Sequence, residues 1–124
     1  MYNMDCRDLM IGDWVILKGN GIFPDRMTKV SDVSSDGIFV WDCDNLIYAE
    51  EINPIILTEE ILVKNGFRIQ VTDDNSRWLW VTDNSWLAYS ERHNYWYYED
   101  MKITYVHQLQ HMLRLCGVEK DIEL

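Results

Sequence analysis

Ser34-Ser35-Asp36-Gly37-Ile38-Phe39-Val40-Trp41-Asp42-Cys43-Asp44-Asn45-Leu46-Ile47-Tyr48-Ala49 contains two short apolar runs, each introduced by a polar turn. Asp36-Gly37 is a strong hairpin signal, because both residue types tolerate positive φ. Ile38 to Trp41 and Leu46 to Ala49 have strand length, and Asp42 to Asn45 reads as the turn between them. Working towards the amino terminus, Met27 to Val33 supplies a strand before the Asp-Gly turn. Trp14 to Leu17 supplies another, closed by the turn chemistry of Lys18-Gly19-Asn20-Gly21. Four or five short strands in this rhythm predict a small, strongly bent antiparallel β-barrel, SH3-like in form, over residues 1–57.

Pro54 ends that section, since it cannot donate to a sheet ladder. Thr58 then reads as a helix N-cap, with Glu59 and Glu60 at the positive end of the helix dipole and Leu57 placed to staple onto Leu62. Gly66 offers the left-handed residue that ends this short helix after Asn65. A second antiparallel set follows in Phe67 to Thr72, Trp78 to Thr82 and Tyr95 to Tyr98, with Trp86 to Tyr89 as an extension of its second strand. Asp73 to Ser76 is a clear turn. In the last helix Tyr105, Val106, Leu109, Met112, Leu113 and Cys116 fall within an arc of about 120°, a face that requires cover. Gly117 ends it, and Val118 to Leu124 forms a closing strand or a tail. The expected class is therefore α+β: one compact domain over 1–124, barrel-like to residue 57 and a short helix, antiparallel sheet and C-terminal amphipathic helix over 58–124.

Three stretches carry a resemblance. Asp8-Leu9-Met10-Ile11-Gly12-Asp13-Trp14-Val15, Ile52-Asn53-Pro54-Ile55-Ile56-Leu57-Thr58-Glu59-Glu60-Ile61-Leu62, and Tyr105-Val106-His107-Gln108-Leu109-Gln110 with Leu113 occur in that order. Together they resemble a group of small uncharacterised proteins of gut anaerobic bacteria and their prophages or mobile elements. The resemblance implies an intracellular accessory protein and brings with it no activity, cofactor or site residue.

Composition narrows the function classes. Of 124 residues 48% are hydrophobic and 26% charged, an ordinary globular balance that can bury a core without disulfides or metals. Eleven Lys and Arg against 21 Asp and Glu leave a net charge of -10, which repels phosphate backbones and anionic membranes. Direct nucleic-acid and membrane partners are accordingly not expected. Cys6, Cys43 and Cys116 are odd in number and far apart, and Asp5, Arg7 and Asp8 interrupt the start where a signal peptide needs apolar residues. The cytoplasm is the expected compartment.

Candidate chemistry is sparse. His107 and His111 have the four-residue spacing of helical zinc ligands, but Gln108 stands where a metalloprotease carries its Glu. The helical wheel places both histidines beside Arg114, on the polar side. Asp42-Cys43-Asp44-Asn45 starts like a calcium loop and departs from it at Leu46 and Ile47. Gly19-Asn20-Gly21 lacks the further glycines or GK[ST] of a phosphate loop. No GxSxG elbow is present, and Cys116 sits on the apolar helix arc. No catalytic residue, cofactor or metal is expected.

The unusual feature is aromatic density between Phe67 and Asp100. Trp78 and Trp80 share one strand face by the two-residue alternation, and Trp96 and Tyr98 share one on a neighbouring strand. Because Tyr95 and Tyr97 are aromatic as well, both faces of that strand need cover. Trp78, Trp80, Trp86, Trp96 and Tyr98 are therefore the candidate interaction surface. The expected function is a non-enzymatic interaction module that binds a protein partner or associates with itself as a homodimer. The alternatives are an aromatic platform for a neutral small ligand or sugar, an acidic decoy of a DNA-binding protein, and a small hydrolase using carboxylates with His107 or His111.

Overall fold

Trp14–Leu17 alternates as a half-buried strand should, with Val15 and Leu17 turned inward and Trp14 and Ile16 half-buried. A computed structural model describes residues 6–19, 22–82 and 85–124 of the chain. The architecture is α+β, with two antiparallel five-stranded sheets and two α-helices, one of them C-terminal. The chain divides into two compact units, Met1–Ile55 and Ile56–Leu124.

In the first unit β1 (Trp14–Leu17), β2 (Arg26–Val33), β3 (Ile38–Val40), β4 (Cys43–Ile47) and β5 (Ile52–Asn53) take the order β4-β3-β2-β1-β5. Irregularities in the pairing of β2 with β3 and of β3 with β4 add bend, and the sheet curls as a half-barrel. Its inward residues, Val15, Leu17, Val30, Ile38, Val40, Ile47 and Ile52, form one core with Leu9. The turn at Lys18-Gly19-Asn20-Gly21 lies partly outside the described residues, as does the phosphate-loop comparison made on it.

Two turns differ in detail from expectation. Ser34 donates its N–H to the Gly37 carbonyl at 2.9 Å, closing the hairpin, yet Gly37 does not take a positive φ. Glycine is needed there because a Cβ would stand 2.2 Å from the carbonyl oxygen of Ile47. The β3–β4 turn sits at Trp41-Asp42, with Val40 opposite Cys43, so β4 starts earlier than the apolar run suggested. The Asp42 carboxylate is engaged instead by Arg26 Nε at 2.8 Å and by the Thr28 hydroxyl at 3.0 Å.

The Arg26 hydrogen bond, and after it the Thr28 one, hold the Asp42 carboxyl below its ordinary pKa. A folded pKa below the unfolded one means stabilisation that is present above about pH 4 and lost as pH falls through the folded value. Both side chains are exposed, Arg26 at 41% and Asp42 at 50%, so the contribution is under about 1 kcal/mol and falls with salt. Asp42→Asn should therefore lower the urea midpoint slightly at pH 7 and not at all near pH 2. An equal loss at both pH values would show that the ion pair is not the cause.

The second unit opens with the predicted cap. Thr58 Oγ1 accepts the Ile61 N–H at 3.2 Å, starting α1 (Glu59–Lys64). Both helices end in Schellman motifs. Phe67 N–H donates to Leu62 and Gly66 N–H to Val63, and the same pattern in Val118 to Leu113 and Gly117 to Arg114 closes α2 (Val106–Leu115). The φ angles of Gly66 and Gly117, 82° and 73°, are the left-handed values this geometry requires.

Between the helices, β6 (Ile69–Val71), β7 (Arg77–Thr82), β8 (Ser85–Ser90), β9 (Tyr95–Tyr98) and β10 (Met101–Ile103) form a simple meander in the order β10-β9-β8-β7-β6. The segment read as an extension of β7 is a strand of its own, because Thr82 pairs with Ser85 and the chain returns antiparallel. Leu79, Leu87, Trp96 and Ile103 are buried on one face, and α2 contributes buried Val106, Leu109, Met112 and Leu113. Val118 to Leu124 is not a strand. It is fastened by Asn65, whose Nδ2 donates to the carbonyls of Ile61 and Glu123, both at 2.8 Å, while Oδ1 accepts the Glu123 N–H at 2.7 Å.

Candidate functional site

Register decides which aromatic side chains share a face. Trp78 lies opposite Ala88, Trp80 opposite Trp86, and Ala88 opposite Tyr97. Trp78, Trp80, Trp86, Ala88, Tyr95 and Tyr97 therefore occupy one face of the second sheet. Leu79, Leu87, Tyr89, Trp96 and Ile103, paired among themselves, occupy the other. The first face is the more open one: Trp80 is 45% and Trp86 44% exposed and Tyr97 is exposed beside them, with Trp78 and Tyr95 half-buried and Ala88 buried between the rings.

The tryptophans form a continuous ridge. Ring centroids of Trp80 and Trp86 are 5.3 Å apart and those of Trp78 and Trp86 6.4 Å, with planes tilted by 56° and 57°. Tilted cross-strand aromatic pairs of this kind stabilise a sheet face even in water. Trp80 Nε1 donates to Gln70 Oε1 at 3.2 Å, so the ring is steered from the neighbouring strand. Across the sheet Tyr95 meets Tyr97 edge-on at 6.4 Å, with Lys102 Nζ 5.2 Å from the Tyr95 ring and His93 stacked on it at 5.6 Å.

One end of this ridge is concave. A groove of about 310 Å³ is lined by Trp78, Ser85, Trp86, Ala88, Tyr97, Tyr98 and Glu99. Glu99 stands in the β9–β10 turn with φ 53°, a left-handed residue at the groove's rim. Glu99 belongs to an acidic pair, Glu99-Asp100, that reads as a solvated turn, whereas Tyr97 does not stand out in the sequence as a surface residue. The signal that locates Tyr97 is its place opposite Ala88, which only the register supplies.

The five candidate surface residues thus separate. Trp78, Trp80 and Trp86 come together on the solvent face. Trp96 is 2% exposed on the opposite face, edge-on to Tyr89 at 5.1 Å. Tyr98 is half-buried on the side of Trp96, reaching the groove only at the strand end. A hydrogen bond with Cys116 holds its hydroxyl above the ordinary phenol pKa, and one with Ser85 acts in the opposite direction.

The histidine pair occupies a different setting from the one the helical wheel suggests. His107 is only 2% exposed, stacked on Tyr105 at 5.9 Å with an interplanar angle of 7°, while His111 meets it edge-on at 5.7 Å. Gln110 is buried too, so the covered arc of α2 is wider than its apolar arc. Gln108 serves the backbone, since its Oε1 accepts the N–H groups of Thr104 at 2.8 Å and Tyr105 at 3.0 Å and so caps α2. Among the described residues, no three His, Cys, Asp or Glu side chains group to hold a metal ion. Among the described residues Cys6, Cys43 and Cys116 form no disulfide, and no helix is long and apolar enough to cross a membrane.

Comparison with known proteins gives no matching family model, no matching curated protein and no matching solved structure.

Proposed function

We propose that this chain is a non-enzymatic interaction module that docks a protein partner on the solvent face of its second sheet. The observation that carries the reading is the ridge of Trp78, Trp80 and Trp86, held on a five-stranded meander with two of its rings nearly half exposed. Interface hot spots favour tryptophan and tyrosine, which bury large area at little entropic cost. Rings inclined by 56° and 57° do not offer the coplanar platform on which a sugar or base lies flat, and this favours a protein surface over a neutral small ligand. At a net charge of -10 two copies repel, so a partner of opposite charge is favoured over a homodimer.

The order β4-β3-β2-β1-β5, with the turn of 3-10 helix Ala49–Glu51 just before β5, supports reading the first sheet as an SH3-like barrel. Three cysteines outside any disulfide support a reducing, cytoplasmic setting, and the resemblance to accessory proteins of prophages or mobile elements is consistent with it.

A photo-crosslinking residue placed at Gln70, beside Trp80, tests the docking face in the native host. The expected result is one dominant cross-linked protein, lost in Trp80→Ala and Trp86→Ala variants whose circular dichroism matches the parent. Unchanged cross-linking in both folded variants would overturn the reading. Sedimentation of the purified chain across concentrations distinguishes a second copy from a different partner.

A further inference from the structure

The groove at the end of the tryptophan ridge has a chemistry of its own, and the proposal about it rests on the docking reading above and refines it. Trp78 and Trp86 make a corner, their planes inclined at 57° and their centroids 6.4 Å apart. Tyr97, Tyr98 and the acidic residue Glu99 are also among its lining residues. No lysine or arginine is among the described lining residues, in a chain of net charge -10. Electron-rich ring faces plus one carboxylate attract a cation, and a groove of about 310 Å³ has room for the head of one side chain. Shape then selects among cations. A guanidinium is planar and prefers a flat ring face with bidentate acceptors, whereas a rounded ammonium head fits a corner of inclined rings.

We infer that this groove receives an alkylammonium group, the head of a lysine side chain, methylated or not, presented by a basic protein partner. Burial of the head against Trp78, Trp86 and Tyr97 supplies the ring attraction, and Glu99 balances its charge.

Choline, with its neutral isostere 3,3-dimethylbutan-1-ol and guanidinium as comparisons, tests this by titration at about 0.15 M salt on the intact chain. The readout is the indole N–H resonances of Trp78 and Trp86. Choline should shift both saturably, and the isostere should bind at least about fivefold more weakly, as loss of a cation–π contact implies. Glu99→Gln should weaken choline about two- to fivefold, the worth of an exposed ion pair. Trp86→Ala should abolish saturation, Trp86→Phe should retain part of it, and Trp41→Ala, in the first unit, should leave it unchanged. Equal affinity for choline and the isostere, stronger binding of guanidinium, or no saturable shift would each overturn the ammonium assignment. The cross-linking result at Gln70 stands apart from all three, so failure of the groove and failure of the docking face are told apart.

Discussion

Trp96→Ala is expected to cost about 3–5 kcal/mol of folding stability, while Trp86→Ala costs about 0.5–1.5 kcal/mol, although both are tryptophans on adjacent strands. Trp96 is 2% exposed and lies between Tyr89 on β8 and Ile103 on β10. Its removal subtracts a large buried area, and whatever cavity the neighbouring strands leave unfilled adds to the cost. Trp86 is 44% exposed, so truncation gives up mainly its ring contacts with Trp78 and Trp80. Urea unfolding of both variants under one set of conditions measures the contrast. Equal losses would mean that the solvent face of the sheet is as structural as its core face, and the case for a docking ridge would lose its basis.

That contrast marks where the sequence is legible and where it is not. The Thr58 cap and the Gly66 and Gly117 ends follow from rules spanning four or five residues, and each is visible by inspection. Trp78 and Trp80 sharing a face follows from alternation alone. Which face of the sheet is wet does not follow, because Tyr95 to Tyr98 is aromatic at every position. Tyr97 is assigned to the open side by lying opposite Ala88, and Trp96 to the closed side by lying opposite Tyr89. Both pairings depend on register between separate strands, which no short-range rule supplies. His107 shows the same limit on a helix. A wheel ranks its residues by polarity, yet burial of His107 and Gln110 is set by what covers α2. Gln108 resembled the second position of a zinc-binding motif only because a capping glutamine at the third helical position happens to lie between two histidines.

The C-terminal segment is the element least legible in the sequence, and it gives the second large effect. Ile122→Ala is expected to cost about 2–5 kcal/mol, because Ile122 is 1% exposed despite standing in a stretch with no regular structure. Its position is held by Asn65, whose side-chain amide imitates a backbone partner, donating to the Glu123 carbonyl and accepting from the Glu123 N–H. Asn65→Ala should cost about 1–3 kcal/mol through these bonds and the one to Ile61. If the amide and the isoleucine act as one clamp, releasing either frees the other, and the double variant should lose less than the sum, with a coupling of about 0.5–3 kcal/mol. Asn65→Asp sharpens the test, since a carboxylate would set its charge against the carbonyl oxygens of Ile61 and Glu123. Its folded pKa would be raised, so the penalty should be full at pH 7 and shrink as pH falls and the acid regains a proton to donate. Strict additivity of Asn65→Ala and Ile122→Ala, or an Asn65→Asp penalty independent of pH, would show that the tail is held by packing alone.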